Sequence, residues 1–140
     1  MSEDREIDME PMNSSANRVL VVAGEAATRG FIKRTLESVL LEVETASRLE
    51  SALPKLTSGE YGLIVLDPPS PSVDGVDLLE ELHRQDPSLA RRTIILVEPG
   101  SPIVEHLRSF PNCRTIDRPV MRNQLILAVS ECLREVGARS

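Results

Sequence analysis

The sequence predicts an α/β domain: a five-stranded parallel sheet with five helices packed over its two faces. Three observations carry that reading. Five short apolar segments alternate with five segments of helical periodicity. The apolar segments are nearly unbroken, as strands buried from both sides are. The most continuous of them, Leu63-Ile64-Val65-Leu66, stops at one carboxylate, Asp67, before a loop holding Pro68, Pro69, Pro71 and Gly75. In open α/β sheets the carboxyl ends of strands are where sites are built.

Taken in order, residues 1–17 are acidic and then rich in Met, Asn and Ser, with no apolar period, and read as a disordered tail or linker ahead of a domain over 18–138. Arg18–Ala23 is a buried strand, β1. Thr28–Leu40 carries Ile32, Leu36, Val39 and Leu40 at helical spacing, which predicts an amphipathic helix, α1. Glu42–Ala46 is a short strand, β2, and Ser47 can cap a helix, α2, running to about Ser58. Pro54 falls inside α2, where it removes an amide donor and clashes with the preceding turn, so a kink or break is expected there.

Gly62–Leu66 forms β3, and Val76–Gln85 forms α3, with Leu78, Leu79 and Leu82 on one face and Asp74 or Gly75 at its cap. Thr93–Val97 is β4, ending at Glu98-Pro99-Gly100. Ser101 and Pro102 suit a cap and first helical position, opening α4 over Pro102–Ser109. Cys113–Asp117 is β5, followed by Arg118-Pro119 and by α5 over Arg122–Val136, whose inner stripe is Leu125, Ala128, Val129 and Cys132.

Composition excludes several function classes. The net charge is −6, of which Glu3, Asp4, Glu6, Asp8 and Glu10 against Arg5 supply −4, leaving −2 for the rest of the chain. So nearly neutral a domain lacks the clustered cations that nucleic acid requires, and aromatics at 2% provide no stacking platform. No run approaches the ~18 apolar residues of a membrane span, and the acidic N-terminus is no signal peptide, so a cytoplasmic location is expected. Cys113 and Cys132 form no metal-ligand spacing and read as ordinary thiols. His83 and His106 have no partner at a meaningful spacing, and the segment after β1 is not the glycine pattern of a dinucleotide site.

With these elements in place, residues 18–136 resemble the receiver domain of two-component response regulators, the flavodoxin-like family typified by the chemotaxis response regulator. The matches are Val19–Val22 with Glu25 and Arg29 where β1 meets α1, Val43 and Ala46 around β2, and Ala52-Leu53 in α2. Densest are Asp67, Pro71 and Gly75, at the family's spacing for phosphoacceptor, loop proline and loop glycine; Arg118-Pro119 falls where the family has Lys-Pro. The resemblance implies a doubly wound sheet of strand order 2-1-3-4-5 and a chemistry in which the β3 aspartate takes a phosphoryl group from a kinase histidine with Mg²⁺.

Against that implied chemistry this sequence departs at each supporting position. The paired acids that hold Mg²⁺ correspond to Ala23 and Gly24, with Glu25 one residue too late; Glu25 and Asp67 are weak metal candidates and no metal is expected. The hydroxyl at the end of β4 corresponds to Glu98, which at ~4 Å would oppose a second negative charge by about 4 kcal/mol at an effective dielectric near 20. The aromatic switch position on β5 is Thr115. Arg118 keeps a cation, and charge complementarity predicts that it bridges Asp67 or Glu98 in place of metal and phosphate.

The expectation is therefore an atypical receiver, or pseudo-receiver: a phosphorylation-independent protein–protein interaction module in bacterial two-component signalling, not an enzyme, with Asp67 a vestigial phosphoacceptor. No cofactor is expected. By the resemblance its partner is a histidine kinase or downstream target on the α4-β5-α5 face, drawing on Glu105, Arg108, Arg114, Gln124, Glu131 and Arg134, with a homodimer as one arrangement. Nucleic acid and membrane are not expected partners. Two alternatives stand beside it: a working receiver phosphorylated on Asp67 with Mg²⁺, and a flavodoxin-like small-ligand binder.

Overall fold

The computed structural model describes residues 17–56, 61–67, 84, 87–100 and 114–139. Five parallel strands, β1 (Arg18–Ala23), β2 (Glu42–Ala46), β3 (Leu63–Asp67), β4 (Thr93–Val97) and β5 (Arg114–Asp117), form one sheet in the order β2-β1-β3-β4-β5. This is the expected doubly wound, flavodoxin-like topology. Residues of β1, β3 and β4 are buried along their whole length, apart from half-buried Arg18, because side chains on both pleat faces are covered. That is why these strands read as continuous apolar runs. The edge strands β2 and β5 are only partly buried, and their sequences are correspondingly mixed.

One face packs Val19, Val21, Leu63, Val65, Ile94, Leu96 and Ile116 against Ile32 and Leu36 of α1 and Leu125, Val129 and Cys132 of α5. Here α1 spans Ala26–Glu37 and α5 spans Arg122–Arg139. Burying a Leu, Ile or Val side chain contributes about 1.5–3 kcal/mol before entropy, so this interlocked face is a large source of stability. It also holds the carboxyl ends of β1, β3, β4 and β5 at one rim.

Two sequence expectations are corrected. First, α1 ends at Glu37 and not at Leu40. Leu41 donates to the Leu36 carbonyl at 3.3 Å and Leu40 to the Glu37 carbonyl at 3.1 Å, with Leu40 in the left-handed region at φ +69°. This is a Schellman termination. It is drawn closed because β2 must start at Glu42, whose amide is bound by the Asn17 carbonyl at 2.9 Å. Val39 and Leu40 thus leave the helical stripe for solvent, Leu40 at 89% exposure.

Second, α2 (Leu49–Leu56) runs through Pro54 without a break. Pro54 is the sixth residue of an eight-residue helix, so its missing amide would have bonded only the Glu50 carbonyl, in the first turn. The helix opens at Leu49, which moves the cap position from Ser47 to Arg48; the Arg48 carbonyl accepts from Ala52 at 3.2 Å.

At the opposite end of the sheet a 3-10 segment, Pro87–Arg92, leads into β4. Arg92 donates to the Tyr61 carbonyl at 2.8 Å, and the buried Cys132 thiol donates to the Arg91 carbonyl at 3.0 Å. The expected tail over 1–17 lies outside the described residues but for Asn17. So do α4, Cys113, His83, His106, Pro71 and Gly75, and all of α3 except Arg84, which is helical.

Candidate functional site

Parallel pairing sets the site. Ala23 of β1 lies opposite Asp67 of β3, and Val97 of β4 lies opposite Asp117 of β5, so the residues that follow these strands converge at one rim. Asp67 is the last residue of β3 and its side chain is only 4% exposed. Just beyond β5 the Arg118 amide donates to the Val97 carbonyl at 2.8 Å, which brings Arg118 beside the ends of β3 and β4. The Arg118–Pro119 peptide is cis.

From there the Arg118 guanidinium makes a direct ion pair with Asp67 through Nη2 and Oδ1, and its Nε lies 3.9 Å from Glu98 Oε1. The bridge expected from charge complementarity is present, to both carboxylates at once. No other described group hydrogen-bonds that buried Asp67 oxygen. A buried carboxylate without a counter-charge would cost several kcal/mol, and Arg118 supplies that counter-charge to Asp67. Glu98 is the looser member, its side chain 56% exposed.

The β1–α1 corner is built differently. Glu25 is the N-cap residue of α1 by backbone position, yet its carboxylate makes no cap hydrogen bond and instead accepts from the Thr28 hydroxyl at 2.7 Å. Arg29 Nη1 donates to the carbonyls of Ala23 at 2.9 Å and Gly24 at 3.3 Å. Arg29 matched the family pattern in the sequence, but nothing there signalled this role, because backbone acceptors leave no mark on side-chain spacing. Thr115 is exposed on β5, away from the buried face.

A hard divalent cation needs several oxygen ligands in near-octahedral order. Among its described residues this rim provides one buried carboxylate, already paired with Arg118, with a methyl group at Ala23 and no side chain at Gly24. Among the described residues no group of three His, Cys, Asp or Glu is placed to hold a metal. The described residues do not fit the Mg²⁺ that receiver domains typically use. Gly24 is open to change: a Cβ there would meet only the Ser47 carbonyl oxygen, at an ordinary 3.7 Å.

A cleft of about 460 Å³ adjoins the rim, lined by Ala27, Thr28 and Phe31 of α1, Leu96 and Glu98 at the end of β4, and Arg118, Pro119 and Val120. Sequence reasoning did not assemble it. Its walls come from three separated segments that only the sheet order brings together.

A doubly wound sheet that ends its central strand on a buried carboxylate, with a cation reaching in from the segment after β5, defines the class of flavodoxin-like receiver folds. Comparison with known proteins agrees. The sequence model described as the response regulator receiver domain matches residues 19–129, and the chain belongs to that family. It is similar to a protein-glutamate methylesterase/protein-glutamine glutaminase of Anaeromyxobacter dehalogenans (strain 2CP-C), 33% identical over 104 residues, covering 74% of this chain and 30% of that protein. The match therefore spans less than a third of that relative's length.

Among solved structures, a response regulator receiver domain protein from Methanospirillum hungatei JF-1 superposes with a TM-score of 0.77 at 25% identity, covering 89% of this chain and 98% of that one. A receiver domain protein from Clostridium thermocellum gives 0.75 at 25% identity, covering 88% and 98%. No described helix is long and apolar enough to cross a membrane.

Proposed function

We propose that this receiver domain is atypical: a cytoplasmic protein–protein interaction module of bacterial two-component signalling whose working state does not depend on phosphorylation of Asp67. The observation that carries the reading is the Arg118–Asp67 ion pair. The guanidinium takes the place beside the carboxylate that a metal and a phosphoryl group would share, and Ala23, Gly24 and Glu98 stand where the paired acids and the hydroxyl that would bring them are expected. Asp67 is then a structural anion, and the pocket residues Ala23, Gly24, Glu25, Glu98, Thr115 and Arg118 mark a site that has exchanged reactivity for a fixed internal charge. The methylesterase activity belongs to the named relative and is not proposed for this chain.

Incubation with Mg²⁺ and acetyl phosphate, followed by intact mass, tests the reading. The expected result is an unmodified chain. A stoichiometric phosphoryl adduct that disappears in Asp67→Ala establishes the competing reading, a phosphoacceptor served by a histidine kinase. That reading draws on the position of Asp67 at the end of β3.

Output runs through contacts with a kinase or downstream target. The β5–α5 part of the proposed surface has the required mixed character. Arg114 pairs with Glu131 at 3.5 Å, Gln124 and Arg134 are exposed, and the apolar Met121 and Leu127 stand in solvent. Glu105 and Arg108 lie outside the described residues. Sedimentation velocity across concentration distinguishes a homodimer on this face, which Leu127→Glu would dissociate, from a monomer that awaits another partner. The acidic residues 1–17 are proposed as a solvated tail or linker.

A further inference from the structure

We infer that Val39 and Leu40, at the turn between α1 and β2, are a docking surface for Met9 and Met12 of the chain's own acidic segment, with Glu10 set against Arg34. The tail proposed above as solvated thereby gains one anchor: its other acids stay in water, and two of its apolar side chains do not. Leu40 is the most exposed large apolar residue among those described, at 89%, and Val39 beside it is exposed as well. Leu40 also holds φ +69°, a conformation that a branched residue adopts only where something over-determines it. Glycine would satisfy the Schellman end equally well, so the turn by itself gives no reason for a leucine. An apolar occupant does.

The entry of the chain into β1 supplies that occupant. The Asn17 carbonyl accepts from the Glu42 amide at 2.9 Å and Arg18 is in register with Glu42, so the segment ahead of Asn17 joins the domain beside the α1–β2 turn. Leu40 is two residues before Glu42, which puts its backbone within roughly 13 Å of Asn17. Met12 is five residues before Asn17 and Met9 eight, with extended reaches of about 17 and 27 Å. Both can therefore fold back onto Leu40, and the unbranched thioether side chain suits a shallow, irregular apolar surface.

Charge favours the same segment. Around the turn three carboxylates each have a cation: Glu37 with Lys33 at 2.6 Å, Glu42 with Arg18 at 3.3 Å and Glu44 with Lys55 at 2.7 Å. Arg34, exposed in the last turn of α1, makes no ion pair among the described residues. One positive charge is thus left over beside a segment whose five acids against Arg5 give it −4. Glu10, between Met9 and Met12, is the acid placed to meet Arg34 when both methionines are seated. A tether this short sets an effective concentration in the mM range, so even a contact of millimolar strength is occupied about half of the time. A second copy is the poorer occupant, because two side chains bury far less than the ~1,200 Å² of a stable protein–protein contact.

The test uses the full chain labelled with ¹³C-methyl methionine, in the presence of a neutral gadolinium chelate that relaxes methyl groups open to solvent. Met121, exposed at the opposite rim of the sheet, is the internal reference. Leu40→Gly should raise the relaxation of the Met9 and Met12 methyls about twofold and leave Met121 unchanged. That substitution relieves the backbone, and so weak a contact adds little to global stability, so the variant should fold, as the Met121 signal will show. Arg34→Glu should release both methyls to a similar extent, while Arg122→Glu, an exposed charge at the other rim, should release neither. Equal relaxation in the parent and Leu40→Gly overturns the inference, as does indifference to Arg34→Glu or an equal response to Arg122→Glu. So does protection that grows with protein concentration, since the occupant would then belong to a second copy. None of these readouts depends on whether Asp67 accepts a phosphoryl group, so the two readings stand or fall separately.

Discussion

The two corners of the rim solve one problem in opposite ways. At the end of β3 the chain buries a charge and matches it with a charge, Arg118 on Asp67. At the end of β1 it has no charge to match, and Arg29 is spent on the neutral carbonyls of Ala23 and Gly24, the latter an exposed residue that water can also reach. Both corners are closed by a guanidinium, but only one of them depends on it. What separates them is the cost of the group left behind when the cation is taken away.

That difference is sharpest in Arg118→Ala, which leaves Asp67 buried and unpaired. A loss on the order of 3 kcal/mol is expected in urea denaturation, the scale for breaking a buried pair, and Asp67→Ala/Arg118→Ala should recover much of it. If the single variant is as stable as the parent, the Asp67 carboxylate is not held by Arg118 and the contrast collapses. Next in size is a gain of function at the other corner. Ala23→Asp/Gly24→Asp, with space for a side chain at Gly24, should create Mg²⁺ binding visible by calorimetry. Silence in that titration would mean that the loop backbone itself no longer presents ligands.

Arg29→Ala should cost about 1 kcal/mol or less, the net value of hydrogen bonds that water can replace. A loss as large as that of Arg118→Ala would erase the distinction between the corners. The smallest effect lies away from the rim. Glu44 is held below the ordinary carboxylate range by its hydrogen bond to Lys55, then by Tyr61, with Arg18 adding charge. A depressed folded-state pKa contributes stability that is present above the ordinary glutamate value and lost as pH falls through the folded one. Because Glu44 is 40% exposed, solvent screening keeps the effect to a few tenths of a kcal/mol. Denaturation midpoints below pH 5 should fall slightly less steeply in Glu44→Gln than in the parent.

The fold was legible in the sequence because burial from both sides writes itself as apolar continuity. Val19–Ala23, Leu63–Leu66 and Thr93–Val97 could be placed before any coordinates were known, and so could the inner stripe of α5. The Arg118 bridge was legible too, since an isolated acid at a strand end and a basic residue at a matching end attract each other whatever the details. Backbone partners were not. Nothing in the sequence around Arg29 says that carbonyl oxygens wait six and five residues back, and nothing around Pro54 says that its lost hydrogen bond falls where it is not missed. Val39 and Leu40 kept helical spacing while the chain itself had already turned.

That turn has a consequence for how much change the domain can absorb. Leu40 occupies the position at a Schellman end where glycine is favoured, and its side chain buries almost nothing in return. Left-handed backbone costs a branched residue about 1–2 kcal/mol, so Leu40→Gly should leave the core untouched and raise the urea midpoint, even after the entropy that glycine forfeits. The amino end of the sheet thus keeps thermodynamic headroom in reserve, far from the rim. Variants that reload the carboxyl end with acids can draw on it without altering the corner they are meant to test.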